Sequence, residues 1–146
     1  MTAIFTTPED AEEAFYDAVS RADLDALMSV WSEDEEIVCI HPTGQRLCGH
    51  AGVRESWRGI FEGNPRFRMH LKHSVRWKGV LHAVHNVVEM FYVGNDPTPH
   101  GPILSTNIYQ RGANGWRLLL RHTSTGNEGA TGDDAGVAES TTHTLH

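Results

Sequence analysis

Residues 31–49 read WSEDEEIVCIHPTGQRLCG, and the order of parts in this stretch decides the fold. Acids are unfavourable at the negative end of a helix dipole, so Glu33-Asp34-Glu35-Glu36 ends a helix near Trp31 or Ser32. Ile37 to His41 then reads as a strand, with Ile37, Cys39 and His41 on one face and Val38 and Ile40 on the other. Pro42 cannot donate to a ladder and Gly44 permits a turn, so the strand stops there. Gln45 to Cys48 suits a short return strand. This geometry sets His41 at a strand end, on the wall of a pocket.

Upstream, Thr7-Pro8-Glu9-Asp10 is a helix start, with a hydroxyl cap, proline in the first turn and acids near the positive end of the dipole. Ala11, Ala14, Phe15, Ala18 and Val19 follow at helical spacing, and residues 1–6 before them read as a loose arm. Asp23 caps a second helix with the stripe Leu24, Leu27, Met28 and Trp31. A third helix follows Gly49, with Val53, Trp57, Ile60 and Phe61 on one side.

Downstream the period changes to two. Phe67, Met69, Leu71, His73, Val75 and Trp77 alternate with polar residues, which predicts one inward face. Val80 to Val93 and Ile103 to Arg111 read as strands separated by the loop Gly94 to Pro102. Trp116 to Thr123 is the last strand, and strict alternation puts Trp116, Leu118, Leu120 and His122 together. Residues 1–125 form one domain on this reading. Residues 126–146 are poor in large apolar side chains and read as a flexible acidic tail.

The chain has 146 residues and a net charge of -7, with Glu128, Asp133, Asp134 and Glu139 past Gly126 and no Lys or Arg beside them. That balance does not suit a phosphate-backbone binder, so no nucleic-acid partner is expected. No apolar run is long enough to span a membrane, and the N-terminus has no basic-then-apolar leader. With Cys39 and Cys48 as its two cysteines, the chain fits a reducing, cytoplasmic setting.

Several segments carry a resemblance. They are Ala22-Asp23-Leu24-Asp25, Trp31-Ser32-Glu33-Asp34, Ile40-His41-Pro42-Thr43-Gly44, Gly49 before the third helix, and Gly115-Trp116-Arg117 through Arg121-His122-Thr123-Ser124. In order and spacing, over about residues 7–125, the chain resembles a SnoaL-like member of the nuclear transport factor 2 and ketosteroid isomerase superfamily. The resemblance implies an α+β, cystatin-like cone: three N-terminal helices packed on a curved antiparallel sheet. It also implies a cavity between helices and sheet, and a homodimer through the sheet face. The isomerases carry Asp-Pro-Val-Gly, whose Asp is the general base; here His41-Pro42-Thr43-Gly44 stands in its place. Their oxyanion tyrosine maps onto Phe15, one residue from Tyr16, and their second oxyanion acid maps near Thr106 or Asn107. A steroid isomerase mechanism therefore does not carry over.

Ten histidines are the main excess in composition. His41 is the candidate acid or base, since imidazole titrates near neutrality, and His122 is expected to face the same interior. Trp31, Trp57, Glu89, Asn107 and Tyr109 are expected to line the cavity. Glu89 sits amid Val87, Val88, Met90 and Phe91, so it is either buried with a hydrogen-bond or salt-bridge partner or at an interface; buried and unpaired, it would have a raised pKa and suit a general acid. His70 with His73, and His82 with His85, point to opposite faces of a strand, so neither pair chelates one ion. A cross-strand set of His41, His85, Glu89 and His122 is the arrangement left for a metal, but the overall expectation is no metal and no organic cofactor. Three functions fit: an enzyme moving protons on a small hydrophobic or polar organic ligand, a non-catalytic ligand binder, and a dimeric assembly module.

Overall fold

The computed structural model describes residues 3–63, 66–127 and the backbone of 140–144. Thr7 caps α1 (Pro8–Arg21), its hydroxyl accepting from the Asp10 N–H at 3.0 Å, with Pro8 in the first turn. Ala11, Phe15, Ala18 and Val19 form the buried stripe. Ala22, in the left-handed region, closes α1, and Asp23 caps α2 (Leu24–Val30) by accepting from the Ala26 N–H at 3.0 Å. A hairpin of β1 (Val38–Ile40) and β2 (Arg46–Cys48) leads into α3 (His50–Gly63). Then come β3 (Phe67–Lys78), β4 (His82–Val93), β5 (His100–Gly112), β6 (Gly115–Thr125) and β7 (Ser140–Thr144).

The strands make one sheet in the order β2-β1-β6-β5-β4-β3-β7. The α+β expectation holds, with two corrections. The third helix is not N-terminal to the sheet, because it follows the β1–β2 hairpin. The sheet is mixed rather than antiparallel, since β1 runs parallel to β6 and β7 parallel to β3. Parallel pairing needs a long crossover, and the chain between β1 and β6 supplies one. The N-terminal arm is also engaged: Phe5 bridges Gly115, and its carbonyl accepts from the Trp116 N–H at 2.8 Å. Of the stretch expected to be a tail, residues 128–139 lie outside the described residues, and Ser140–Thr144 pair with Ser74–Lys78 as a strand. No helix among the described residues is long and apolar enough to cross a membrane.

Two bulges decide which side chains meet the helices. In β3, Lys72 pairs with Val88 and Val75 with Asn86, so His73 and Ser74 together oppose Val87. His73 takes φ 50° there. The inward row therefore passes from Phe67, Met69 and Leu71 to the buried Ser74, and the expected inward placement of His73, Val75 and Trp77 is corrected. In β6, Ile108 pairs with Leu120 but Tyr109 with Leu118, which leaves Leu119 as the extra residue. Beyond it Arg121 and Thr123 are buried, whereas His122 is exposed.

The core joins α1, α2 and α3 to the inner sheet face through Phe15, Leu27, Val30, Ile37, Val53 and Leu118, all at most 1 % exposed. Leu118→Ala should cost about 2–5 kcal/mol in a denaturant titration, because a fully buried leucine leaves a cavity. Val80→Ala, at a side chain 77 % exposed, should stay within about 0.5 kcal/mol of the parent.

Candidate functional site

β4, β5 and β6 carry a row of polar side chains into an otherwise apolar interior. Glu89 is fully buried on β4, and Arg121 faces it from β6. The Arg121 Nη1 and Nη2 donate to the two Glu89 carboxylate oxygens at 2.6 and 2.9 Å, a fork-to-carboxylate pair. Tyr16 on α1 donates its hydroxyl to Glu89 Oε2 at 2.5 Å and accepts from Asn107 Nδ2 at 3.1 Å. Ser105 Oγ accepts from Arg121 at 2.9 Å, and the guanidinium lies 5.0 Å from the Phe15 ring centre. Burial works against the Arg121 charge, but the Glu89 carboxylate outweighs it and holds the guanidinium protonated. Burial, and then the charge of Glu89, push the Tyr16 hydroxyl well above its usual range, so it stays a donor.

This network closes one end of a cavity of about 220 Å³. The wall is mostly apolar, led by Phe15, Trp57, Phe67 and Phe91, and its ionisable side chains are His41, Glu89 and Arg121. His41 follows β1, where its backbone N–H donates to the Gln45 carbonyl at 2.9 Å and its own carbonyl accepts from Gly44 at 2.8 Å. Its ring meets Trp57 edge-on at 5.4 Å, and its Nε2 is hydrogen-bonded to Ser56 on α3. Burial, and secondarily the Arg121 charge, lower the His41 pKa below the ordinary 6.5, so the imidazole is neutral at pH 7. A neutral imidazole on an apolar wall can accept a proton. Glu89 cannot readily do so, because both its oxygens are already paired.

A second polar cluster lies between α1 and the sheet. Glu12 accepts from Arg76 Nη2 at 2.7 Å and is hydrogen-bonded to His85 Nδ1. His85 is fully buried, with its ring 4.8 Å from that of Tyr109. Burial opposes the Glu12 charge, but His85 and Arg76 outweigh it, and the Glu12 pKa falls.

A family model described as a SnoaL-like domain matches residues 9–128. The chain belongs to the SnoaL-like domain family. Solved structures of nuclear transport factor 2-like and cystatin-like proteins share its fold. This SnoaL-like domain is 40 % identical to a Thiobacillus denitrificans protein described as a calcium/calmodulin-dependent protein kinase type II association domain. That match covers 85 % of this chain and 98 % of the other, with a TM-score of 0.80. A Streptomyces avermitilis protein described as a dehydratase of the nuclear transport factor 2-like family is 24 % identical over 80 % of this chain and 91 % of its own, with a TM-score of 0.72. Among curated proteins, an Arabidopsis thaliana F-box protein, SKIP8, is 26 % identical over 75 % of this chain. The chain spans 46 % of that relative's length.

The SnoaL-like cavity gathers three of the seven expected site residues, His41, Trp57 and Glu89. Asn107 is buried behind it, holding Tyr16 and Arg121. Tyr109 is buried against His85, away from the lining. Trp31 is buried in the core, where its backbone bridges Leu118, and does not line the cavity. His122 does not face the interior, because the Leu119 bulge turns it to the outer sheet face; its pairing with His41 is corrected. His85 is engaged with Glu12, so the cross-strand metal set is not brought together, and no other such group occurs among the described residues. Arg121, turned inward by the β6 bulge, and Tyr16, on α1, are the site residues that the sequence reading missed. The available signal was Glu89, a carboxylate in an apolar strand that needs a hydrogen-bonding or ionic partner.

Arg121→Met should lower stability by about 3–5 kcal/mol, since it leaves a buried carboxylate without its cation. The double variant Glu89→Gln with Arg121→Met should recover much of that loss. A double-mutant cycle in urea checks both, and additive losses would show the pair to be uncoupled.

Proposed function

We propose that this SnoaL-like domain binds a compact organic molecule in its cavity and moves a proton on it, with His41 as the acid/base group. The observation that supports this most is the contrast along one wall. Glu89 and Arg121 satisfy each other, while His41 is neutral, borders the cavity and, among the described residues, has only Ser56 and the Cys39 sulfur as side-chain hydrogen-bonding neighbours. A cavity of about 220 Å³ is below the usual range for drug-sized ligands, which favours a molecule of one or two rings.

The test uses 2-tetralone, a bicyclic ketone whose α-hydrogens exchange with deuterium when a base removes them. NMR in D₂O should show exchange faster with the protein than with the same concentration of free imidazole. His41→Gln should remove that excess, a loss of about 10² or more. The sign of the pH dependence follows from the lowered pKa. The free base accumulates as pH rises, so the rate should climb through a midpoint below 6.5 and stay level above it. Exchange no faster than free imidazole would sink the catalytic reading.

A second reading, assembly, is favoured by the sheet's outer face and by the 40 % identical protein described as an association domain. Trp77, Val84, Ile108, Leu120 and Val38 lie in register across five strands on that face, each partly exposed. Under this reading two copies pair through that row, and sedimentation equilibrium should give a homodimer. Ile108→Lys should shift it to monomer while leaving the circular dichroism spectrum unchanged. A parent protein that sediments as a monomer at tens of micromolar would remove the assembly reading.

A further inference from the structure

We infer that the cavity selects an uncharged aromatic ligand, and that Glu89 sets this selectivity by keeping Arg121 neutralised. The inference rests on the ligand-pocket reading above and names its ligand class.

The charge balance of the wall carries the argument. Its ionisable lining residues are one cation, one anion and one imidazole. The cation and anion form a two-bond pair at 2.6 and 2.9 Å, with Tyr16 adding a third hydrogen bond to the carboxylate. The other contacts of Arg121 Nη1 are Ser105 Oγ at 2.9 Å and, at 3.4 Å each, Asn107 Oδ1 and the Tyr16 hydroxyl, and the guanidinium carbon lies over the Phe15 ring at 5.0 Å. The wall is therefore neutral as a whole at the position where it is most buried.

A ligand carboxylate entering this site meets a cation whose charge Glu89 already balances. At the Nε edge of Arg121, which carries no hydrogen bond among the described residues, it gains little charge attraction, and taking the Nη1–Nη2 edge would leave the Glu89 carboxylate held by Tyr16 alone, which is strongly unfavourable. A ligand ammonium meets the reverse problem, because Glu89 is already committed and Arg121 repels it. An uncharged ligand pays neither penalty. A single hydroxyl or carbonyl can bond at the edge of the pair or at His41 without disturbing it. The neutral state of His41 near pH 7 adds no net charge to this balance. The aromatic preference follows from Phe15, Trp57, Phe67 and Phe91, whose ring faces and edges complement a flat ring system.

The experiment measures affinity for three naphthalenes of one shape at pH 7.5: 2-naphthol, 2-naphthoate and 2-naphthylmethylammonium. Isothermal titration calorimetry reads the binding. In the parent protein 2-naphthol should bind at least about tenfold more tightly than either charged compound. In Glu89→Gln, checked for folding by circular dichroism, Arg121 is released and 2-naphthoate should overtake 2-naphthol. A parent protein that prefers 2-naphthoate or the ammonium overturns the inference while leaving the pocket reading intact. A folded Glu89→Gln that keeps the parent ranking also overturns it. If none of the three binds, the inference and the pocket reading fall together. Should Glu89→Gln not fold, the parent ranking decides alone.

Discussion

The Glu89–Arg121 ion pair is the constraint around which the rest is arranged. A carboxylate and a guanidinium buried together are tolerated only if their geometry is good and their remaining valences are met. Meeting them fixes several elements at once. Tyr16 must come from α1 at the height of Glu89, which sets the helix's position along the sheet. Ser105 and Asn107 must come from β5, between the two charged strands, which fixes the β4–β5–β6 register. Phe15 then falls against the guanidinium, and the same helical turn supplies both the polar cap and the cavity wall. Replacing the pair by apolar residues is often neutral or stabilising in other proteins. Its presence here is therefore read through the helix position and strand register that it fixes rather than through net stability.

Much of the fold was legible. The caps at Thr7 and Asp23 follow from hydroxyl and carboxylate side chains that satisfy free N–H groups, a local effect that spacing captures. His41 was placed on the inner wall because three residues of alternation and a proline leave little freedom. The faces of the long strands were not legible, and the reason is specific. Each of β3 and β6 contains one extra residue, His73–Ser74 opposite Val87 and Leu119 between two ladder partners. A bulge shifts the period by one, so every side chain beyond it changes sides. That single step sends His122 outward and Arg121 inward. Nothing in the apolar run Leu118-Leu119-Leu120 marks which leucine is the extra one. The partner of Glu89 decides it, and that partner lies 32 residues away.

Membership in the SnoaL-like family accounts for the layers, the order of elements and the presence of a cavity. It does not account for which side chains face that cavity, because the fold carries many unrelated sites. Here a histidine stands at the strand end, and the carboxylate in the interior is neutralised by an arginine. The ionisable side chain of the wall that stands outside the ion pair is the His41 imidazole.

The same residues serve as core and as pocket. Phe15, Val19 and Trp57 are at most 5 % exposed in the fold and also line the cavity. A lining variant therefore changes two quantities together, the packing that holds α1 and α3 on the sheet and the shape offered to a ligand. The polar positions separate more cleanly. Removing the His41 imidazole takes away a proton acceptor and one bond to Ser56, whereas removing Arg121 strands a buried charge. A functional loss with intact stability can thus come from His41, but scarcely from Arg121. Variants at His41 leave the ion pair whole, whereas variants at Glu89 or Arg121 report on folding and on the cavity together.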